Sequence, residues 1–335
     1  MKALQLHQPA GLNNLKLVDI ADPGQPGRGQ IRVNIKASSL NYHDLGVVLG
    51  HMPTEDKRIP MSDGAGVVEA VGEGVTEFKA GDRVVSTFFP DWLSGEAERA
   101  DFSITPGDGV DGFACEYAVR DATAFTHMPT GYSFTEAATL TTAGLTAWRA
   151  LVVNGQLKAG DTVLVLGTGG VSIFALQIAK AMGAEVIVTS SSDEKLERAK
   201  ALGADHLINY KSEPEWGDKV RQLTNGRGVD HTIEVGGPAT LAQSIQATRI
   251  SGHIALIGVL TGVSGKIPTV ALMARQQRLQ GLIVGSRQQQ LEMIRGLEST
   301  GIKPVIDKVF NFENLAEAFE LQQAGGHFGK IAVEW

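Results

Sequence analysis

Two stretches carry the residue types best suited to chemistry. The first is Gly167-Thr168-Gly169-Gly170-Val171. It follows the apolar, β-branched run Thr162–Leu166, which predicts a buried strand. It leads into Val171, Phe174, Ala175, Ile178, Ala179 and Met182, whose 3.6-residue spacing predicts a helix that Gly183 stops. A strand, a glycine turn and a helix together cradle a pyrophosphate, because glycines let backbone N–H groups approach it and the helix N-terminus adds partial positive charge. The spacing G-x-G-x-x-G is met at Gly167 and Gly169, while its third place holds Ser172. The second stretch is Thr189-Ser190-Ser191-Ser192, at the end of a second expected strand, where a bound dinucleotide's adenosine ribose is read. An acidic residue about 20 positions past the first glycine would indicate NAD. Here the first carboxylate is Asp193, with Lys195 and Arg198 beyond it. Small hydroxyls beside cations suit a 2′-phosphate, which favours NADP(H) over NAD(H). The same residues also suit a helix capped by Ser191 or Ser192, with Asp193 and Glu194 in its first turn, and both readings can hold together.

The elements around these stretches change texture along the chain. Residues 1 to about 125 predict a mostly β region, with strands at 2–6, 16–20, 30–37, 66–71, 83–86 and 115–119 separated by turn clusters. A long loop at 87–112 carries Phe88, Phe89, Pro90, Trp92 and Phe102; these either anchor it to the core or line a substrate pocket. A helix is expected at 135–153. Strands at 162–166, 185–190, 206–209, 230–235, 253–258 and 279–284 then alternate with helices at 193–202, 216–223 and about 241–248. Six short apolar strands with intervening helices imply an α/β doubly wound parallel sheet. A helix near 288–297, a segment at 304–310, a helix at 315–323 and a last strand at 331–334 form a tail expected to fold back on the first domain.

Composition narrows the classes. A chain of 335 residues can hold two domains with proper cores. A hydrophobic content of 43% with 20% charged residues fits a soluble globular protein. The net charge of −7 argues against nucleic acid or an anionic membrane as the main partner and leaves a small molecule. One cysteine, Cys115, excludes both a disulfide framework and a four-cysteine zinc site within the chain. With no signal-peptide pattern and no membrane-spanning run, a cytoplasmic location is the default expectation.

Further motifs carry a family resemblance. They are Ser39-Leu40-Asn41-Tyr42-His43-Asp44-Leu45, Asp63-Gly64-Ala65-Gly66-Val67-Val68-Glu69-Ala70-Val71-Gly72, Ala80-Gly81-Asp82-Arg83-Val84, Ala143-Gly144-Leu145-Thr146-Ala147-Trp148, the glycine turn and Leu202-Gly203-Ala204-Asp205. Together they make the chain resemble a medium-chain dehydrogenase/reductase of the zinc-less quinone oxidoreductase-like branch. The resemblance implies a GroES-like catalytic domain at 1–126 and 287–335 with a six-stranded Rossmann domain at 127–286 inserted, and a homo-oligomer, dimer or tetramer.

The zinc enzymes of that superfamily hold a catalytic metal with two cysteines and a histidine. By the resemblance those positions fall at Asn41, Ser62 and Thr142, with the glutamate after the histidine at Asp63. Asparagine, serine and threonine are poor zinc ligands, so no metal is expected. Without a Lewis acid, an acceptor that spreads charge into an enolate, such as a quinone or an α,β-unsaturated carbonyl, is the expected substrate. Asn41 and Tyr42 are the candidate donors and Asp44 the orienting group, with Tyr42 or a water delivering the proton. A strand-end role for Tyr42 and a helix-cap role for Asp44 stay open. An alcohol dehydrogenase or carbonyl reductase of the same fold, or a non-catalytic NADP(H)-binding protein, are the alternatives. The resemblance further implies cofactor contacts at Thr142 and Thr146, Gly167 to Val171, Ser190 to Ser192 with Lys195, and Tyr210. It adds Gly258, Val259 and Leu260 ending the fifth strand, Val284, Gly285 and Ser286 ending the sixth, and Lys330 reaching the cofactor phosphates.

Overall fold

The computed structural model describes residues 1–335 except for the side chain of Arg99. The chain forms two compact units, Met1–Leu145 with Val284–Trp335, and Thr146–Ile283.

The first unit opens with the antiparallel pair β1 (Lys2–Leu6) and β2 (Leu15–Asp19). Next come β3 (Gln30–Ser39), helix α1 (Tyr42–Val48), β4 (Ala65–Val71), β5 (Arg83–Ser86), β6 (Tyr117–Asp121) and β7 (Phe125–His127). Alternate residues Ile31, Val33 and Ile35 of β3 are buried, as the period-2 pleat requires when one face covers a core. Phe113, Phe125, Phe312 and Phe319 fill that core. Helix α2 (Phe134–Ala138) opens on a Ser133/Glu136 capping box. A π-helical segment at Leu140–Gly144 follows, then α3 (Leu145–Trp148) and a second π-helical segment at Arg149–Asn154. The helix expected at 135–153 is thus present but twice loosened.

The second unit holds β8 (Thr162–Leu166), α4 (Gly170–Ala181), β9 (Glu185–Ser190), α5 (Asp193–Ala201), β10 (His206–Asn209), α6 (Trp216–Leu223), β11 (Val229–Glu234), α7 (Leu241–Ala247), β12 (Thr248–Leu256), α8 (Thr269–Ala274) and β13 (Arg278–Gly281). All its strand pairs are parallel, in the order β10-β9-β8-β11-β12-β13. That is the doubly wound dinucleotide-binding order, with the order reversing beside β8. Strand β8 is buried at every residue, which explains its unbroken apolar run. Helix α8 was not expected from the sequence; Val270 and Met273 on it are largely exposed.

The chain returns to the first unit through α9 (Arg287–Thr300), β14 (Ile306–Asn311), α10 (Leu315–Gln323) and β15 (Lys330–Glu334). Strand β15 pairs antiparallel with β3, so the expected fold-back of the tail is present. The division falls later than the expected residue 126 at one end and slightly before 287 at the other. The reason is bonding: Thr141 and Thr142, beyond α2, bond Ser86 and Asp63 of the first unit. Cys115 is buried and its thiol is pushed up to about 12 by burial, as suits a core residue. Among the described residues no helix is long and apolar enough to cross a membrane.

Candidate active site

The glycine turn joins β8 to α4. Gly167 lies at φ +73, a conformation that β-carbon-bearing residues resist. Gly169 is the N-cap of α4, and a β-carbon there would meet nothing within 4 Å. The first N–H groups of α4 have no partner within the helix, so the open space over Gly169 is bordered by donors. Ser172, at the third glycine's place, is buried and its hydroxyl donates to Leu166 O at 2.7 Å, tying helix to strand. Serine thus does by a bond what glycine does by closeness. These residues fit a pyrophosphate.

The other cofactor candidates of this unit follow the carboxyl ends of parallel strands, where open α/β sheets take ligands. Ser190 ends β9; its hydroxyl accepts from Ser192 N at 3.2 Å and its carbonyl from Tyr210 N at 3.1 Å. Ser192 caps α5 through Lys195 N, so the capping role is real and leaves the adenosine role open. Tyr210, just past β10, is exposed. Gly258, Val259 and Leu260 lie beyond β12, which stops at Leu256 rather than 258. The sixth strand, β13, stops at Gly281, so Val284, Gly285 and Ser286 do not end it. They belong to the first unit. Ser286 is the N-cap of α9, its hydroxyl accepting from Gln289 N at 3.3 Å. Val284 sits at φ +47, rare for a β-branched residue and a form of strain found at functional sites.

The first unit carries a buried polar centre at the end of β3. The β3–β15 register pairs Ser39 with Ala332. Two residues further along, it brings Lys330 opposite Asn41. The Lys330 ammonium donates to Leu40 O at 2.5 Å and to Asn41 Oδ1 at 2.6 Å, with Asp63 Oδ2 at 3.8 Å. With 3% of its surface exposed, Lys330 is buried in this centre. Asn41 Nδ2 donates to Asp63 Oδ2 at 2.9 Å and to Asp44 Oδ2 at 3.1 Å. Only one amide orientation suits an ammonium on one side and carboxylates on the other. Both amide protons are therefore taken, and Asn41 bridges the centre instead of offering a free donor. Asp44 also accepts from Asn41 N at 3.0 Å and Ser62 N at 2.8 Å, tying the start of α1 to the segment before β4. Asp63 accepts from the hydroxyls of Ser39 at 2.5 Å and Thr142 at 2.6 Å. Burial pushes both carboxyls above the usual range and the Lys330 ammonium below its own. Tyr42, in the first turn of α1, is half exposed, its hydroxyl raised by partial burial of the ring.

The donor set does not fit zinc. Asn41, Ser62 and Thr142 offer no thiolate or imidazole, and an ammonium 2.6 Å from Asn41 Oδ1 would repel a dication. Among the described residues no three His, Cys, Asp or Glu side chains are placed to share a metal. The sequence singled out Asn41, Asp44 and Asp63 by position, but Ser39 and Lys330 join them through a strand register no local pattern encodes. In the long loop, Phe88, Phe89 and Trp92 are buried against one another, and Trp92 and Leu93 carbonyls accept from Arg287 and Gln288 N–H groups of α9. Those rings are anchors. Phe102 is different: it stacks on His43 and lines a surface groove with Arg58 and Asp108.

A doubly wound nucleotide sheet inserted in a β-rich, GroES-like unit defines the class. Residues 27–130 match the alcohol dehydrogenase GroES-like domain family and residues 170–299 the zinc-binding dehydrogenase family. The chain belongs to the medium-chain dehydrogenase/reductase superfamily and is an oxidoreductase of its alcohol dehydrogenase family. It is 43% identical over 334 residues to a zinc-type alcohol dehydrogenase-like protein of Schizosaccharomyces pombe, covering 97% of this chain and 96% of that one. The crystal structure of an NAD-dependent alcohol dehydrogenase matches all of both chains at 35% identity and a TM-score of 0.91. That of crotonyl-CoA carboxylase/reductase AntE in complex with NADP matches all of this chain and 94% of its own at 26% identity and a TM-score of 0.88.

Proposed function

We propose that the protein is a zinc-independent, NADPH-dependent reductase of quinones or α,β-unsaturated carbonyl compounds. The observation that carries this reading is the polar centre itself, in which Lys330, Asp63, Asn41 and Thr142 bond one another where zinc relatives hold metal. The turn Gly167–Thr168–Gly169–Gly170–Val171 would hold the pyrophosphate and Ser190, Ser191, Ser192 and Lys195 the 2′-phosphate. Tyr210, Gly258, Val259, Leu260 and Thr146 are the remaining contacts proposed for the second unit. When bound, the reduced nicotinamide supplies the hydride. Charge then develops on the acceptor's oxygen, and a conjugated acceptor delocalises it enough for hydroxyl donors to hold. Tyr42 and Thr142 are the partly exposed hydroxyls of the centre's segments. Val263, Val270 and Met273 are exposed apolar residues of the second unit, and they support assembly of two or more copies.

A second reading, reduction of simple carbonyls and oxidation of alcohols, draws on the alcohol dehydrogenases among the relatives and on the Thr142–Asp63 hydroxyl–carboxylate pair. NADPH oxidation with 1,4-benzoquinone, 9,10-phenanthrenequinone, 3-penten-2-one and a simple aldehyde separates the two. Turnover of the quinones or the enone supports the first. Turnover of the aldehyde alone replaces it with the second. Tight NADPH binding without turnover on the whole panel overturns both in favour of a binding protein.

A further inference from the structure

The polar centre of the first unit holds more negative charge than it balances. Asp44 and Asp63 are both buried, and Lys330 is the ammonium bonded among them. The remaining members, Ser39, Asn41 and Thr142, are neutral. A buried charge is costly unless paired, and one ammonium answers one carboxylate. Uptake of a single proton removes the surplus.

The bonding decides which carboxylate takes it. Asp44 accepts from three N–H groups: the Ser62 backbone, the Asn41 backbone and the Asn41 amide. These cannot turn round, so they favour the ionised form of Asp44 against its burial. Asp63 accepts from one amide and two hydroxyls, and a hydroxyl can change from donor to acceptor by rotating its hydrogen. A proton on Asp63 Oδ1 therefore orphans no donor. It would be given to Thr142 Oγ1, 2.6 Å away, and the Thr142 hydrogen would turn outward. Ser39 and Asp63 are wholly buried and Asn41 nearly so, whereas Thr142 is partly exposed. The Thr142 hydroxyl is the outlet of the network.

We infer that Thr142 is the residue that protonates the substrate oxygen, with Asp63 as the buried reservoir of that proton. This rests on the reductase reading above. In the step, the Thr142 O–H bond breaks as an O–H bond forms on the substrate oxygen. The Asp63 O–H bond breaks as the Thr142 hydroxyl is remade. The hydride carries both electrons to the substrate carbon, and the proton relay moves none. Asp63 is left as a carboxylate near the Lys330 ammonium until solvent returns a proton. The charged and titratable groups facing Asp63 are Lys330 from β15 and Asp44 and His43 from α1. Lys330 favours the carboxylate; Asp44, with burial, favours the acid.

The test compares wild type with Thr142→Val, Thr142→Ser and Asp63→Asn, using NADPH and whichever quinone, enone or aldehyde the wild type reduces. Thr142→Val keeps the shape and removes the hydroxyl. It should lower kcat, measured at saturating NADPH, by about 100-fold or more. Thr142→Ser should restore kcat to within about fivefold. In the wild type kcat should fall as pH rises through one ionisation, and Thr142→Val should lose that limb. A readout independent of turnover is infrared difference spectroscopy from about pH 6 to about pH 9, where the wild type should show a buried protonated-carboxyl band that Asp63→Asn lacks. Thr142→Val that keeps both kcat and the pH limb overturns the donor role. A wild-type spectrum without the band overturns the reservoir. A wild type that binds NADPH but reduces nothing overturns the reductase reading and the donor role together, and the infrared band still decides where the proton resides.

Discussion

Lys330 is the residue on which the polar centre turns. Removing its ammonium would leave Asp44 and Asp63 buried with no cation bonded among them. Lys330→Met keeps most of the side-chain volume, so its effect is chiefly electrostatic. We expect a loss of about 3 kcal/mol in urea unfolding at pH 8, typical of breaking a buried ion pair from one side. The loss should shrink toward pH 5, because protons then neutralise the carboxylates in place of the ammonium. A loss independent of pH would mean that packing, not charge, is what the lysine provides. Lys195 tests the cofactor assignment at the same scale. It lies in the first turn of α5, directly after the serine run, with its backbone bonded to Ser192. Lys195→Ala should raise the KM for NADPH about tenfold and leave that for NADH nearly unchanged, since only the former carries the 2′-phosphate. Equal effects on both coenzymes would remove the NADP assignment.

The turn between β8 and α4 offers a prediction that separates folding from binding. A β-carbon on Gly169 meets no protein atom within 4 Å, and the residue's φ of −78 suits any amino acid. Gly169→Ala should therefore change stability by less than about 0.5 kcal/mol yet weaken NADPH binding about tenfold or more, by filling the space left for pyrophosphate. Gly167→Ala, at φ +73, should instead destabilise by about 1 kcal/mol even without ligand. Thermal melts with and without NADPH distinguish the two. The turn was legible in the sequence because strand, glycines and helix periodicity are all local signals. The same holds for β9, β10, α6 and α10. What local pattern missed has a physical cause in each case. Helix α8 is short and largely exposed, so it carries no buried stripe. Strand β13 borders the sheet with β12 as its one neighbour, and it stops before Val284, where the backbone turns to positive φ. The bond from Lys330 to Asn41 is not legible locally, because the two are 289 residues apart and are brought together only by the β3–β15 register.

At the scale of the whole molecule, buried groups in the two units carry pH contributions of opposite sign. In the second unit, His231 Nε2 donates to Asp161 at 3.0 Å and Arg278 Nε donates to His253 Nδ1 at 3.0 Å. Burial, then the positive charge of Arg278, holds His253 down at about 4, below its ordinary 6.5. A histidine depressed in the folded state contributes stability that is full above its unfolded pKa and is lost as pH falls toward the folded value. At pH 5 the unfolded chain has taken up the proton and the folded unit has not, which costs about 2 kcal/mol, or about 7 °C in the melting of a unit this size. In the first unit the Asp63 carboxyl is raised by burial, so the sign reverses: its contribution is full at low pH and is lost as pH rises through its folded value. Calorimetry between pH 7.5 and pH 5 should therefore show the transition of the second unit moving down relative to that of the first. His253→Gln, which keeps a neutral polar side chain and cannot titrate, should abolish most of that shift while leaving the first unit's transition in place. A pH response unchanged by His253→Gln would locate the acid sensitivity elsewhere in the fold.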